Sequence, residues 1–566
     1  MNRLGGEMGR RMRLTIENNL LVLDADGDFL SPFRRKDQEG GFIGLGKLID
    51  AAVHLAYYSG DDRALEFKQK LVRDSAATQL EDGYLGMFIP ERRFWHAWDV
   101  HEMSFIVLGL VNDYALLGET ASLQSACRLM DYMIARWTEE TGREVEPVLA
   151  VHLSTIGFEE AILALYEATG DERYRDFCVT HRGLPAWDLG IVKGRHGRFD
   201  GHAYGYMARC NALLHLYRMQ PDENLLHQPQ RVLDFLLRRD GLVISGGCSM
   251  IECWHDDQEG AGDLGETCST AYLLYMLDGL MRVQPDPLYG DVMERAVLNA
   301  LYGAQSPDGR NLRYYVPFEG KRVYFDKDTY CCPNNFRRIV GALPGMVYYA
   351  AGGGIIVNLY TESTAEIPLE GEHTVEIRQE TDYPNTGVVR IRINPAAPAR
   401  FPLMLRVPRW AAAAEIELNG EPVKEPAAAG SFHRIEREWG RGDTVTLRMP
   451  MEWQVVRGRK KQAGRAAVMR GPVVFCLNPS RNYGLADADL EKITLDPSSF
   501  GQPLRDDTVR PGGLVCPVRA WGTDAPIASP SDLNLQLTEF ADPGCEATYF
   551  RVPQGANLVD DPLHER

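Results

Sequence analysis

The chain has 566 residues, too many for one hydrophobic core, so two to four domains are expected. Its apolar fraction of 45% and charged fraction of 25% are those of an ordinary globular protein, and a formal charge of −18 argues against nucleic acid or an anionic membrane surface as partner, since both need basic faces. The basic start, Met1 to Arg13, leads into no apolar stretch of signal-peptide length, and no run approaches the roughly 20 apolar residues of a membrane span, so neither leader nor anchor is expected.

Residues 1–352 read as helical and repetitive. An apolar helix, an aromatic near its end, and a Gly or Pro followed by an acidic residue recur, as in Tyr57-Tyr58-Ser59-Gly60-Asp61, Tyr166-Glu167-Ala168-Thr169-Gly170-Asp171 and Leu280-Met281-Arg282-Val283-Gln284-Pro285-Asp286. The spacing is about 50 to 70 residues, room for two helices each time. Each Gly is placed as a helix C-cap. Ala51 to Ala56 is apolar on most sides, as a helix buried between neighbours should be. Six such hairpins in series predict an (α/α)6 barrel, with an irregular helical domain as the open alternative.

Residues 353–477 change to period two. Ile355 to Tyr360, Thr374 to Arg378, Val388 to Ile393, Leu403 to Val407, Glu415 to Leu418 and Thr444 to Arg448 predict strands, with Asn419-Gly420 as a hairpin turn and Ala466 to Cys476 as one further strand. Short alternating strands at this spacing indicate a β-sandwich domain. Residues 478–566, rich in Pro, Asp and Gly, are expected to be a β-rich or irregular C-terminal segment.

The chemistry gathers in the second half of the helical region. His202, with Gly201 and Tyr204, begins a helix and is placed to reach the barrel mouth, helix capping being the alternative. Glu252-Cys253-Trp254-His255 follows the Gly-rich Ser245-Gly246-Gly247; a glutamate beside an aromatic there is a candidate general acid, its pKa raised by desolvation, unless it is a plain surface Glu. His202, Tyr204, Trp254 and His255 are the candidate sugar-binding residues. Glu266-Thr267-Cys268 precedes an apolar helix, and some sixty residues on Cys331-Cys332-Pro333 opens another. Three thiols and a carboxylate form a full ligand set for zinc, and adjacent cysteines rarely pair with each other. Cys248, Cys253 and His255 compete as ligands, and buried apolar cysteines without metal remain the alternative. The eleven cysteines, odd in number and partly adjacent, suggest reduced thiols and a cytoplasmic location.

Together, Glu266-Thr267-Cys268, Cys331-Cys332 and Arg470-Gly471-Pro472 resemble the β-L-arabinofuranosidase family, glycoside hydrolase family 127 and its relatives. Asp82-Gly83-Tyr84-Leu85, Trp98-Asp99-Val100, Gln379 to Pro384 and Leu405 to Trp410 extend the likeness from about Leu20 to about Asn478. The resemblance implies a catalytic (α/α)6 barrel followed by β-sandwich domains, and a retaining hydrolase. In it Cys331 is the nucleophile, Glu252 the acid/base, and Glu266, Cys268, Cys331 and Cys332 hold Zn2+. The chain departs from the family pattern at His101-Glu102-Met103 and at Pro333-Asn334-Asn335-Phe336-Arg337, which puts the sugar in doubt more than the mechanism. A β-L-arabinofuranoside or a related rare-sugar oligosaccharide is the implied substrate, short and imported if the site is cytoplasmic. A carbohydrate-binding scaffold with structural zinc, and a lyase or epimerase on the same toroid, are the competing readings. The sandwich faces also leave a homo-oligomer as an expectation.

Overall fold

The computed structural model describes residues 2–564 apart from 96–97, 140–152, 197, 370–372, 486–488 and 523–530. Its helices pair in chain order as α1 (Gly6–Thr15), α2 (Leu45–Ser59), α3 (Asp62–Ala76), α4 (Asp99–Leu117), α5 (Thr120–Glu139), α6 (Phe158–Thr169), α7 (Glu172–Asp176), α8 (Ala203–Met219), α9 (His227–Arg238), α10 (Thr267–Val283), α11 (Pro287–Arg295) and α12 (Cys331–Ala342). The recurring Gly-acidic phrase has a local cause. Gly60 (φ 64°) and Gly170 (φ 69°) end α2 and α6 in the left-handed conformation. The next residues, Asp61 and Asp171, cap α3 and α7 by accepting from Arg63 N and Arg173 N. Asp286 does the same for α11 through Leu288 N, with Pro287 in the first turn.

The even-numbered helices form the inner wall. Each packs on the next, α2 on α4, α4 on α6, α6 on α8, α8 on α10 and α10 on α12, and α12 returns to α2, so the ring closes as an (α/α)6 barrel. Close approach of α2 and α4 depends on Gly46, where a Cβ would lie 2.2 Å from Ile106 N. The outer partner of α12 is α1, from the start of the chain. α4 corrects one expectation: it is long and apolar enough by composition to cross a membrane. The ring explains it, since an inner helix touches neighbours on nearly every side and Asp99 to Val111 is buried throughout.

Beyond the barrel, two sheets face each other around Ile377, Ile391, Phe401, Leu403 and Trp439. In one, Ser363–Leu369, His373–Thr381, Val388–Pro395, Asp443–Arg448 and Glu415–Leu418 run antiparallel in that order; the other has the order Ser431–Trp439, Ala399–Val407, Gly354–Val357 and Tyr348–Ala351, with Ala399–Val407 and Gly354–Val357 parallel. Asn419 (φ 53°) and Gly420 (φ 86°) turn the expected hairpin. Asn2–Leu4, within the range assigned to the barrel, instead adds a strand to the first sheet by pairing with Ser363 to Ala365. The stretch Ala466 to Cys476 is two strands, Arg465–Arg470 and Val473–Leu477, because Gly471 (φ 56°) and Pro472 turn the chain. Val473–Leu477 pairs in turn with Leu533–Glu539, so the boundary suggested at 477 falls inside a hydrogen-bonded sheet. That third sheet also takes in Trp453–Arg457 and Gly513–Trp521. The expectation of reduced thiols is corrected at one pair: Cys476 and Cys545, their Cα atoms 5.8 Å apart, form a disulfide joining the third sheet to the loop after Leu533–Glu539.

Candidate active site

The inner helices present their N-terminal ends at one mouth, where aligned peptide dipoles favour thiolates and carboxylates. Glu266 is the N-cap residue of α10, Cys331 opens α12, and His202 caps α8, its Nδ1 accepting from Gly205 N at 3.0 Å. Tyr330, just before Cys331, holds φ 89° and ψ 178°, a region ordinarily left to glycine. Its N–H donates to Ile43 O at 3.0 Å and its carbonyl accepts from Asn334 Nδ2 at 2.7 Å, which fixes the strained turn.

Glu266, Cys268, Cys331 and Cys332 bring one carboxylate oxygen and three Sγ atoms within 4.8 Å of one another. Cys332 Sγ lies 3.1 Å from Cys268 Sγ and 3.7 Å from Glu266 Oε1. Tetrahedral zinc with bonds of about 2.3 Å to sulfur sets its ligand atoms roughly 3.8 Å apart, so the donor set fits a metal ion. A second layer orients it: Ser269 Oγ donates to Glu266 Oε2 at 2.6 Å, Asn335 Nδ2 to Cys268 Sγ at 3.1 Å, and Arg338 to Asn335 Oδ1 at 3.1 Å. Burial, reinforced by neighbouring negative charge, pushes Glu266, Cys268 and Cys332 well above their ordinary ranges. Cys331 differs. Burial pushes its thiol up too, but hydrogen bonds from Cys268 and Cys332, the Lys47 charge and the Tyr314 hydroxyl outweigh it and hold it well below the usual thiol range. Lys47 is itself fully buried, donating to Tyr204 Oη at 3.0 Å with its Nζ 4.4 Å from the Phe105 ring centroid.

A cavity of about 210 Å³ opens above the cluster, walled by Phe42, Trp98, His101, Tyr204, Glu252 and Cys331. His202 also lines it, so capping and site roles coincide. The Glu252 carboxylate accepts from the Tyr314 hydroxyl, and its Oε2 lies 3.6 Å from both His196 Nδ1 and His202 Nε2. The same Tyr314 oxygen stands 3.2 Å from Cys331 Sγ. The expected upward shift of Glu252 is corrected: burial does raise it, but the bond and charge of His202, with Tyr314, leave the carboxyl below its ordinary value.

Trp254 and His255 are not brought to the cavity. Ile251 (φ 48°) and Glu252 (φ 64°) adopt left-handed backbone, which breaks the extended run and turns Glu252 inward alone. Trp254 is buried instead against Tyr206 and Phe235, at ring distances of 5.8 and 5.4 Å, and His255 Nδ1 faces Asp257 at 3.3 Å. Cys248, Cys253 and His255 lie outside the four-residue donor group. Tyr314, Tyr330, Phe42 and His196 line the cavity without having been singled out; the adjacency of Tyr330 to Cys331 was the available signal. Glu102, in the departing His101-Glu102-Met103 stretch, is structural: its carboxylate accepts from Gly44 N at 2.6 Å and Leu45 N at 3.0 Å, tying α4 to the start of α2.

Comparison with known proteins identifies the family. Residues 32–345, more than half of the chain, match the sequence model of the β-L-arabinofuranosidase GH127 catalytic domain, and residues 354–451 that of the GH127 middle domain. The chain is 25% identical over 520 residues to a non-reducing end β-L-arabinofuranosidase of Bifidobacterium longum, covering 78% of this chain and 76% of that protein. In fold it is similar to the GH127 β-L-arabinofuranosidase of Geobacillus stearothermophilus (TM-score 0.80, 21% identity, 98% of this chain and 100% of that one). It is also similar to a second solved GH127 β-arabinofuranosidase (TM-score 0.83, 21% identity, 99% and 98%). The chain therefore belongs to glycoside hydrolase family 127, the β-L-arabinofuranosidase family, and is a glycoside hydrolase.

Proposed function

We propose that the protein is a retaining glycosidase that removes single β-L-arabinofuranosyl units from the ends of short oligosaccharides, with Cys331 as nucleophile and Glu252 as acid/base. One observation carries this reading: the Cys331 sulfur and the Glu252 carboxylate both contact the Tyr314 hydroxyl. Two groups bonded to one oxygen sit no further apart than two hydrogen bonds. That matches the about 5–5.5 Å of a retaining pair, whereas an inverting pair needs about 6.5–9.5 Å to admit water. The cavity volume, about 210 Å³ behind Phe42 and Trp98, suits one furanose ring.

Glu266, Cys268, Cys331 and Cys332 are the residues that would hold Zn2+, and the ion, when bound, supplies the positive charge that keeps the sulfurs deprotonated. The Cys331 thiolate forms a C–S bond to the anomeric carbon as the glycosidic C–O bond breaks, and Glu252 gives its proton to the leaving oxygen. Glu252, now ionised, takes a proton from water, whose oxygen bonds to the anomeric carbon as the C–S bond breaks and Cys331 leaves as thiolate, releasing the sugar with the starting configuration. The depressed pKa keeps Glu252 ionised for the second step; the first draws on the protonated fraction, which shrinks as pH rises. His101, His196, His202 and Tyr204 surround the ring as hydrogen-bonding partners for its hydroxyls. Membership of a glycosidase family sets aside the scaffold reading. The test is hydrolysis of 4-nitrophenyl β-L-arabinofuranoside followed by NMR of the first-formed anomer; an inverted product would refute the retaining pair.

A further inference from the structure

A second depression adjoins the catalytic cavity and shares Tyr314 and Tyr330 with it. It has a volume of about 640 Å³, three times that of the sugar cavity, and its walls are Tyr315, Tyr324, Phe325 and the exposed Val323. Val323 is 75% and Tyr330 38% exposed, so the protein leaves large apolar side chains in water beside its active site. The rings are nevertheless fixed. Tyr314 lies 5.3 Å from Phe325 and 6.2 Å from Tyr330 by ring centroid, and the buried Arg313 guanidinium sits 3.9 Å from the centre of the Tyr324 ring. Rigid aromatic walls with open faces are suited to the flat apolar face of a sugar.

A leaving group extending out of the one-ring cavity meets this groove across the shared Tyr314 and Tyr330 wall. Glu252 delivers its proton to the departing oxygen, and the hydroxyl that Glu252 contacts belongs to Tyr314, the residue forming the shared wall. Charge then narrows the occupant. Lys321 and Lys327 both line the groove, both are exposed, and among the described residues neither forms an ion pair or a hydrogen bond. Asp263 is the acidic residue of the lining, so the groove carries a net positive charge on a chain whose formal charge is −18. Two unengaged ammonium groups flanking aromatic walls complement an anionic sugar.

We propose that this groove is the leaving-group subsite and that it selects saccharides carrying a carboxylate there, a uronic acid residue stacked on the Tyr315, Tyr324 and Phe325 rings with its carboxylate between Lys321 and Lys327. This rests on the glycosidase reading above for its orientation, but its charge selectivity is measurable without turnover. The experiment is calorimetric titration of the full zinc-loaded chain with digalacturonate and with neutral galactobiose, in low and high salt. Digalacturonate should bind about tenfold tighter at low salt, and the advantage should vanish in 0.5 M salt and in the Lys321→Gln/Lys327→Gln double variant. Equal affinity for the two disaccharides, no binding of either, or a preference that survives loss of both lysines overturns the proposal. Wild-type hydrolysis of the nitrophenyl furanoside is the separate readout: its absence refutes the β-L-arabinofuranosidase reading and leaves the charge preference to be judged by titration.

Discussion

Tyr314 stands 3.2 Å from the Cys331 sulfur while the same hydroxyl donates to Glu252, so one phenol couples the candidate nucleophile to the candidate acid/base. A carboxylate that accepts a hydrogen bond is stabilised in its ionised form. Tyr314→Phe should therefore raise the Glu252 pKa, and the alkaline fall of kcat/KM for a poor leaving group should move to higher pH. A limb that stays put, or moves to lower pH, would show that Tyr314 does not tune Glu252.

Cys331→Ser removes the thiolate with little change in shape. Turnover should fall by at least about a thousandfold while far-UV circular dichroism stays near wild type. Near-normal kinetics in that variant would refute the nucleophile assignment.

Glu252→Gln should cost about 10²–10⁴-fold with an alkyl or sugar leaving group, which needs its proton, and far less in the first step with a nitrophenyl group, which does not. Pre-steady-state release of nitrophenol checks this, and equal losses on both substrates count against the acid role.

Elemental analysis should return one zinc per chain, falling to near zero in Cys268→Ala. A ligand that binds only the folded state stabilises by about 4 kcal/mol at a thousandfold excess over Kd. Chelation should accordingly lower Tm as well as activity, and zinc should restore both; a Tm indifferent to chelator would mean the four donors bind no metal.

Outside the site, His54 Nδ1 lies 3.3 Å from Asp50 Oδ1, and Asp50 also holds Arg338 at 2.5 Å. Burial lowers the His54 pKa, but the Asp50 charge and hydrogen bonds win and raise it. A raised histidine pKa contributes stability that is complete below its unfolded value of about 6.5 and is lost as pH rises through the folded value. The stability difference between wild type and His54→Gln should thus be larger at pH 6 than at pH 9, as read by urea unfolding.

Much of this was legible because the chemistry is local. Glu266 and Cys268 straddle one helix start and Cys331-Cys332 another, so short motifs carried the donor set, and the Gly-acidic phrase carried the hairpins because one residue ends a helix and the next caps its partner. What failed was side-chain direction. Trp254 follows Glu252 by two residues and would share its face in an extended strand, but φ 48° at Ile251 and 64° at Glu252 undo that alternation. Phe42, His196 and Tyr314 arrive from loops distant in sequence, and only the closed ring brings them to one mouth.

Residues 2–4 hydrogen-bond to 363–365, and α1 seats against α12. Residues 2–4 can therefore find these strand partners only after some 360 further residues have been made, so this strand pairing must form late. A fragment cut at the family boundaries 32 and 345 would lack that pairing, and limited proteolysis should open it far faster than the whole chain.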